Sequence, residues 1–174
     1  DRDASGNVKL QDIGRFLSGG ELGAVLSFRG DLLDGARSQL GLIATGLVET
    51  VNEQQGLGLD LNGDIGTDFF RPQAPAAGAP AGNTGTGSVA ATIDDVAGLT
   101  GDRYRLSFDG TDYTLTNLRS NASQTGAGPG FSVDGVVITV SGAPAAGDSF
   151  VIEPVAGAAS GLEVALSDPR LFAA

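Results

Sequence analysis

The stretch that decides the fold is LLDGARSQLGLIATGLVETVNEQQ, residues 32–55. Its apolar positions recur at spacings of three and four, and they are Leu33, Ala36, Leu40, Ile43, Ala44, Leu47, Val48 and Val51. Such spacing places the side chains on one stripe of an α-helix. We therefore predict an amphipathic helix from Leu32 to Gln55, capped by Asp31 and ending before Gly56.

A shorter helix is indicated just upstream. Ser18 and Glu21 have the spacing of a capping box, in which the two residues satisfy the free backbone donors of a helix N-terminus. Apolar side chains follow at helical spacing, at Leu22, Val25 and Leu26. The first part of the chain is therefore expected to be helical.

The second half of the chain alternates apolar and polar residues, as half-buried strands do. The predicted strands are Val89–Ile93, Tyr104–Phe108, Tyr113–Thr116, Phe131–Val133, Val136–Val140, Ser149–Glu153 and Leu162–Leu166. The four-residue loop Asp109–Asp112 and the type I′ pair Asp134-Gly135 predict hairpins. Hairpins imply an antiparallel sheet. Residues 73–88 are rich in Pro, Ala and Gly, which predicts a linker or loop.

The apolar stripe of the long helix needs a partner, because one amphipathic helix cannot bury its own stripe. Two interpretations remain. Either the stripe covers a sheet from the second half of the chain, or it packs against helices outside this sequence. Gly41, Ala44 and Gly46 keep part of the helix surface narrow, which permits close approach.

The composition excludes several functions. The net charge is −11, and Lys9 is the sole lysine, so neither nucleic acid nor an anionic membrane is expected as a partner. The chain has no Cys and no His, which removes thiolate and Ser-His chemistry and the commonest metal ligands. No enzyme activity and no cofactor are predicted. The absence of Met suggests a segment of a longer protein.

Three polar or glycine-rich motifs are candidate binding sites. Asp1, Asp3, Ser5, Gly6, Val8 and Asp12 occupy the positions of an EF-hand loop, but Asp12 replaces the bidentate Glu, and a polar turn is the preferred interpretation. Asp60, Asn62 and Asp64 form a second oxygen-rich run, interpreted as an Asn-Gly turn. Gly85, Gly87 and Ala90 have dinucleotide spacing without the strand and helix that this fingerprint requires. No metal or catalytic site is predicted.

Residues 18–29 read SGGELGAVLSFR, which resembles the signature of the flagellar hook-associated protein 1 family. The likeness continues through residues 31–54, GLDLNGD at residues 58–64 and Asp68-Phe69-Phe70. The Phe131–Val140 hairpin, residues 157–161 and Ser167–Arg170 are also similar to this family.

The resemblance implies an extracellular structural subunit of the bacterial flagellum, which joins hook to filament and acts by self-assembly. It implies a ring of identical copies, neighbouring hook and junction proteins, and an export chaperone for the full-length chain. A calcium-binding extracellular module is the alternative.

The resulting fold class is α+β, with long amphipathic helices from a helical-domain fragment and an antiparallel β domain. Residues 1–72 are expected to form the helical fragment with a short N-terminal strand, residues 73–168 the β domain, and residues 169–174 a return toward the helical domain. Six residues are expected to pack against other helices or subunits: Leu33, Leu40, Ile43, Ala44, Leu47 and Val51.

Overall fold

The long helix is the first element of the computed structural model, which describes residues 33–173 of the chain. Helix α1 runs from Asp34 to Leu57, and the preceding Leu33 contributes no side-chain cap. The predicted end before Gly56 is wrong, because the last turn continues to Leu57 and closes with a bond from the Gly58 N–H to the Gln55 carbonyl.

The expectation of several long helices is corrected in this part of the chain. Between residues 33 and 173, α1 is the single α-helix. The predicted cap at Asp31 and the upstream helical segment 18–29 lie outside the described residues.

Ten short strands and one 3₁₀ turn follow α1. The strands are β1 (Phe70–Arg71), β2 (Ala76–Gly78), β3 (Ser88–Ile93), β4 (Tyr104–Phe108), β5 (Tyr113–Asn117), β6 (Ser123–Gly126), β7 (Gly130–Val133), β8 (Val136–Ser141), β9 (Ser149–Glu153) and β10 (Glu163–Val164). The 3₁₀ turn spans Pro169–Leu171. The α+β class is thereby confirmed, and every strand pairing is antiparallel.

Two sheets share one hydrophobic core. The larger has the order β2-β9-β4-β5-β6, the smaller the order β3-β8-β7, and β1 pairs separately with β10. Alternate residues of β4, β8 and β9 point inward, as the two-residue period of a strand requires. The largest side chains with almost no solvent exposure are Tyr104, Phe150, Leu106, Ile138 and Ile152. This aliphatic and aromatic core is what keeps the β region folded.

Both predicted hairpins are correct. Phe108 pairs with Tyr113 across a four-residue loop. Val133 pairs with Val136 across the two-residue turn Asp134-Gly135, where both φ angles are positive, as a type I′ turn demands.

One predicted strand needs correction, and three observed strands were not predicted. The predicted strand Leu162–Leu166 is reduced to β10, because β1 offers just two partner residues. No apolar alternation marks β1, β2 or β6 in the sequence. Strand β2 lies inside the predicted linker, where it pairs with β9.

The rest of the predicted linker is also fixed in place. The buried Asp148 carboxylate accepts backbone N–H bonds from Thr84 and Gly85 at 2.8 and 3.0 Å, and one from Ala145 at 2.8 Å. The Asn83 side chain donates to the Ser149 carbonyl and accepts from the Ser149 N–H. These bonds attach residues 83–85 to the sheet.

Candidate assembly surface

Helix α1 meets the rest of the chain along a narrow line of mostly small or polar residues, beside which Leu42 packs against the β core. Its buried residues are Ser38, Gly41, Ala44, Val48 and Gln55. At Gly41 the approach is so close that an added Cβ would lie 1.8 Å from the Val155 carbonyl oxygen. Glycine permits this contact because it has no side chain. At Gly46, by contrast, no described atom lies within 4 Å.

The predicted stripe divides into two faces. Leu33, Leu40, Ile43 and Leu47 are between 47% and 69% exposed, whereas Ala44 is buried and Val51 is half-buried. With 3.6 residues per turn, the exposed group and the buried line are roughly a quarter turn apart. The large aliphatic side chains therefore lie beside the contact with the β region rather than within it.

The N-terminal turn of α1 is tied to the larger sheet by a partly buried ion pair. Arg103 precedes β4 and donates from Nη1 to Asp34 Oδ2 at 2.8 Å and to Glu153 Oε1 at 3.5 Å. One guanidinium thus bridges the helix and strand β9.

The C-terminal turn of α1 is tied to the end of the chain. Gln55 donates from Nε2 to the Leu171 carbonyl at 2.6 Å and accepts from the Ala173 N–H at 3.2 Å. The rings of Phe69 and Phe172 meet edge to face, with centroids 5.9 Å apart. Residues 169–173 therefore lie against the end of the helix.

A tight hairpin after α1 forms a second apolar surface, called here the Asp60 loop (residues 58–66). A bridge between Leu59 and Ile65 closes it, and the Asp60 carboxylate accepts N–H bonds from Asn62 and Asp64. The pKa of the Asp60 carboxyl group is lowered, chiefly by the hydrogen bond from the Asp64 N–H. The carboxylate therefore stays ionised as an acceptor.

The apolar side chains around this loop are not among the predicted contact residues. Leu57, Leu59, Leu61 and Ile65 are all between 58% and 82% exposed. Their signal in the sequence was the alternation of Leu57, Leu59 and Leu61 with glycine and aspartate. Exposed aliphatic groups this close in sequence are typical of an interaction surface.

The residues of the remaining motifs either have hydrogen-bond partners within the fold or lie outside the described residues. The candidate calcium ligands Asp1 to Asp12 lie outside this part of the chain. Asp60 is used by its own loop, and the Gly85 N–H points at Asp148 rather than at space for a phosphate. Between residues 33 and 173 there is no group of three acidic side chains placed to hold a metal ion.

A cavity of about 410 Å³ lies between α1 and β3. Its walls are largely apolar and include Val48, Ile93 and Leu162, with Glu49 and Arg71 among its charged groups.

Within the described residues, no helix combines the length and the hydropathy needed to cross a bilayer.

Comparison with known protein families gives the class of protein. A model of the "Flagellar hook-associated protein FlgK helical domain" matches residues 3–70, and a model of the "Flagellar hook-associated protein 1, D2-like domain" matches residues 79–154. These two models cover the helical and the β parts, which defines the class as flagellar hook-associated proteins.

Individual relatives narrow the class to one family. The chain is 35% identical to flagellar hook-associated protein 1 of Escherichia coli over 172 residues, which is 97% of this chain and 31% of that protein. It is 31% identical to the Salmonella typhimurium protein of the same name, over 95% of this chain and 30% of that protein. The chain belongs to the flagellar hook-associated protein 1 family and spans less than a third of the length of these relatives.

A solved structure agrees with this assignment. The flagellar hook junction protein FlgK from Burkholderia pseudomallei superimposes with a TM-score of 0.80 at 36% sequence identity. The match covers 90% of this chain and 29% of that protein.

Proposed function

We propose that this chain is the central segment of a structural subunit of the bacterial flagellum, which joins the hook to the filament by self-assembly. The observation that carries the proposal is the row of four exposed aliphatic side chains on a helix that is fixed at both ends. Membership of the hook-associated protein 1 family supplies the context in which such a row has partners.

The assembly surface is the predicted set Leu33, Leu40, Ile43, Ala44, Leu47 and Val51. Within that set, the four large exposed residues contact helices of the parent protein or of a second copy, and Ala44 and Val51 support the helix from within. Full burial of a Leu or Ile side chain contributes about 1.5–3 kcal/mol. Burying the exposed parts of four such side chains contributes roughly 3–6 kcal/mol before the entropy of association is subtracted.

The domain division proposed with this function is residues 1–72, 73–168 and 169–174. The family models support it, because they end and begin at residues 70 and 79. The bonds from Gln55 to Leu171 and Ala173 support the return of the last segment to the helical part.

The partners follow from the same proposal. They are further copies of the subunit in a ring, neighbouring hook and junction proteins, and an export chaperone for the full-length chain. The location is the extracellular flagellum. The subunit acts without catalysis, cofactor, nucleic acid or membrane contact, and its net charge of −11 supports the last two points.

The test is complementation of a strain that lacks the full-length protein. The double variant Leu40→Asp, Ile43→Asp places charges in the exposed row, and desolvating them on assembly is costly. We expect export without filaments and loss of swimming in plate assays, since a loss of about 1.4 kcal/mol already weakens binding tenfold.

The matched control is Gln54→Asp, which adds a charge at an exposed position of the same helix. It is expected to restore filaments and swimming fully. Wild-type swimming by the double variant, with the altered protein present in the flagellum, contradicts the proposed surface.

A further inference from the structure

The Asp60 loop contains the single Asn-Gly pair of the 174-residue sequence, Asn62-Gly63. In such a pair, the glycine backbone nitrogen can attack the asparagine side-chain carbonyl carbon, because glycine has no Cβ to obstruct the approach. Asn62 is exposed, so water reaches it freely. The sequence alone therefore marks Asn62 as a position prone to deamidation.

The structure engages both reacting groups in hydrogen bonds to Asp60. The attacking nitrogen of Gly63 donates its N–H to the Asp60 carbonyl at 3.0 Å. The departing amide of Asn62 donates from Nδ2 to Asp60 Oδ2 at 3.1 Å, and the Asn62 N–H donates to Asp60 Oδ1 at 2.8 Å. The reaction requires the Gly63 N–H to lose its proton and the Asn62 amide nitrogen to leave, so both bonds must break.

We propose that Asn62 is a latent deamidation site and that Asp60 is the positioning residue that keeps it intact in the folded protein. In the suppressed reaction, the Gly63 nitrogen bonds to Asn62 Cγ and gives up its proton, and ammonia leaves with a proton. Water then opens the resulting five-membered imide. The net change is asparagine plus water to aspartate or isoaspartate plus ammonia.

The outcome of this reaction explains why protection matters for this loop. Isoaspartate adds a methylene to the main chain inside the hairpin that the Leu59–Ile65 bridge closes. Both products add a negative charge between Leu61 and Ile65, two of the exposed apolar residues. The loop geometry protects Asn62 whether or not the protein has the proposed flagellar role.

The experiment follows deamidation by mass spectrometric peptide mapping of the purified full-length protein, kept folded in mildly alkaline buffer. A synthetic peptide spanning residues 57–68 gives the unprotected rate. Two variants of the full-length protein separate charge from acceptor: Asp60→Asn removes the negative charge but keeps one side-chain oxygen, whereas Asp60→Ala removes both. Asp64→Ala is the matched control, since its carboxylate has no hydrogen bond in the loop whereas its backbone does.

We expect Asn62 in the folded protein to deamidate roughly tenfold more slowly than in the peptide, because breaking the hydrogen bonds to Asp60 adds to the barrier. The Asp60→Asn rate should exceed that of the unaltered protein. The Asp60→Ala rate should be higher still but below that of the peptide, because the Gly63 N–H bond to the carbonyl of residue 60 remains. The Asp64→Ala rate should be unchanged. Equal rates in the folded protein and the peptide overturn the proposal. So does an Asp60→Ala rate as slow as that of the unaltered protein.

Discussion

At the scale of single residues, Asp148 is the polar group with the most structural consequence. Its carboxylate is almost fully buried and accepts three backbone N–H bonds from two separate segments. The bonds from Ala145 and Thr84, in that order, lower the pKa of Asp148 below its ordinary value. The segment of residues 73–88 is rich in Gly and Ala and has no large apolar side chain. These hydrogen bonds therefore hold it against the sheet.

Replacing Asp148 by Asn tests this role. An amide has one oxygen and two donors, so it cannot accept all three N–H bonds and leaves buried groups unpaired. We expect the midpoint of thermal unfolding to fall by several degrees at neutral pH, measured by circular dichroism. The exposed control Asp68→Asn should unfold at the temperature of the unaltered chain.

The same pair of variants gives a pH dependence with a definite sign. Because the pKa of Asp148 is lowered in the folded state, its contribution is complete above the unfolded pKa of about 3.9 and is lost as the pH falls through the folded pKa. The stability difference between Asp148→Asn and the unaltered chain should therefore shrink below about pH 4. A difference that stays constant down to acid pH contradicts this assignment.

At the scale of elements, the sequence was informative where the period was strong. Strands β4, β8 and β9 alternate inward and outward residues, and each was predicted within two residues. Strands β2 and β6 escaped prediction because their residues are almost all exposed, and they exist through pairing with β9 and β5. Such edge strands have no apolar pattern to detect.

The helix illustrates a different limit. Its periodicity predicted α1 correctly, but the period cannot tell which of two adjoining faces meets the sheets. That choice depends on the line of small residues through Gly41. The Val155 backbone packs closely against Gly41, where a side chain as large as that of Leu40 or Ile43 would not fit. The candidate surface was thus predicted by residue type, and its division into two faces required the structure.

Gly41→Ala tests the close approach of helix and β region. The added Cβ would overlap the Val155 carbonyl oxygen, and overpacking typically costs about 1–3 kcal/mol. The gain in helix propensity of roughly 1 kcal/mol offsets part of this. Urea denaturation of the 174-residue chain should show a net loss of up to about 2 kcal/mol.

The control for that variant is Gly46→Ala on the same helix, where no described atom lies within 4 Å. It is expected to raise the unfolding free energy by about 0.5–1 kcal/mol, because alanine favours the helix. Equal effects of the two substitutions would show that α1 does not pack through Gly41.

At the scale of the whole molecule, the helix and the β region are joined by apolar packing of Leu42 against the β core and by ion pairs. Arg103 bonds to Asp34 of the helix and to Glu153 of the sheet, and these three side chains are partly buried. Arg71 and Glu163 form a comparable pair, 3.4 Å apart, which is mostly exposed. Burial distinguishes the two pairs, because water screens an exposed pair almost completely.

Arg103→Ala is expected to lower the unfolding free energy by about 1–2 kcal/mol, since two carboxylates lose their counterion in a partly buried site. Arg71→Ala should change it by less than about 0.5 kcal/mol. Urea denaturation of both variants in low and moderate salt provides the measurement. A loss of the same size for both variants would contradict the difference in burial.

The two attachments of α1 have a mechanical consequence. Asp34 and Gln55 are separated by 21 residues, so the anchors at the two ends of the helix are roughly 30 Å apart. A helix attached at one point can rotate about that point. A helix attached at two distant points resists rotation about any axis that crosses the line between them. A twisting force on the strands is therefore transmitted along the helix as two opposed forces, one at each attachment.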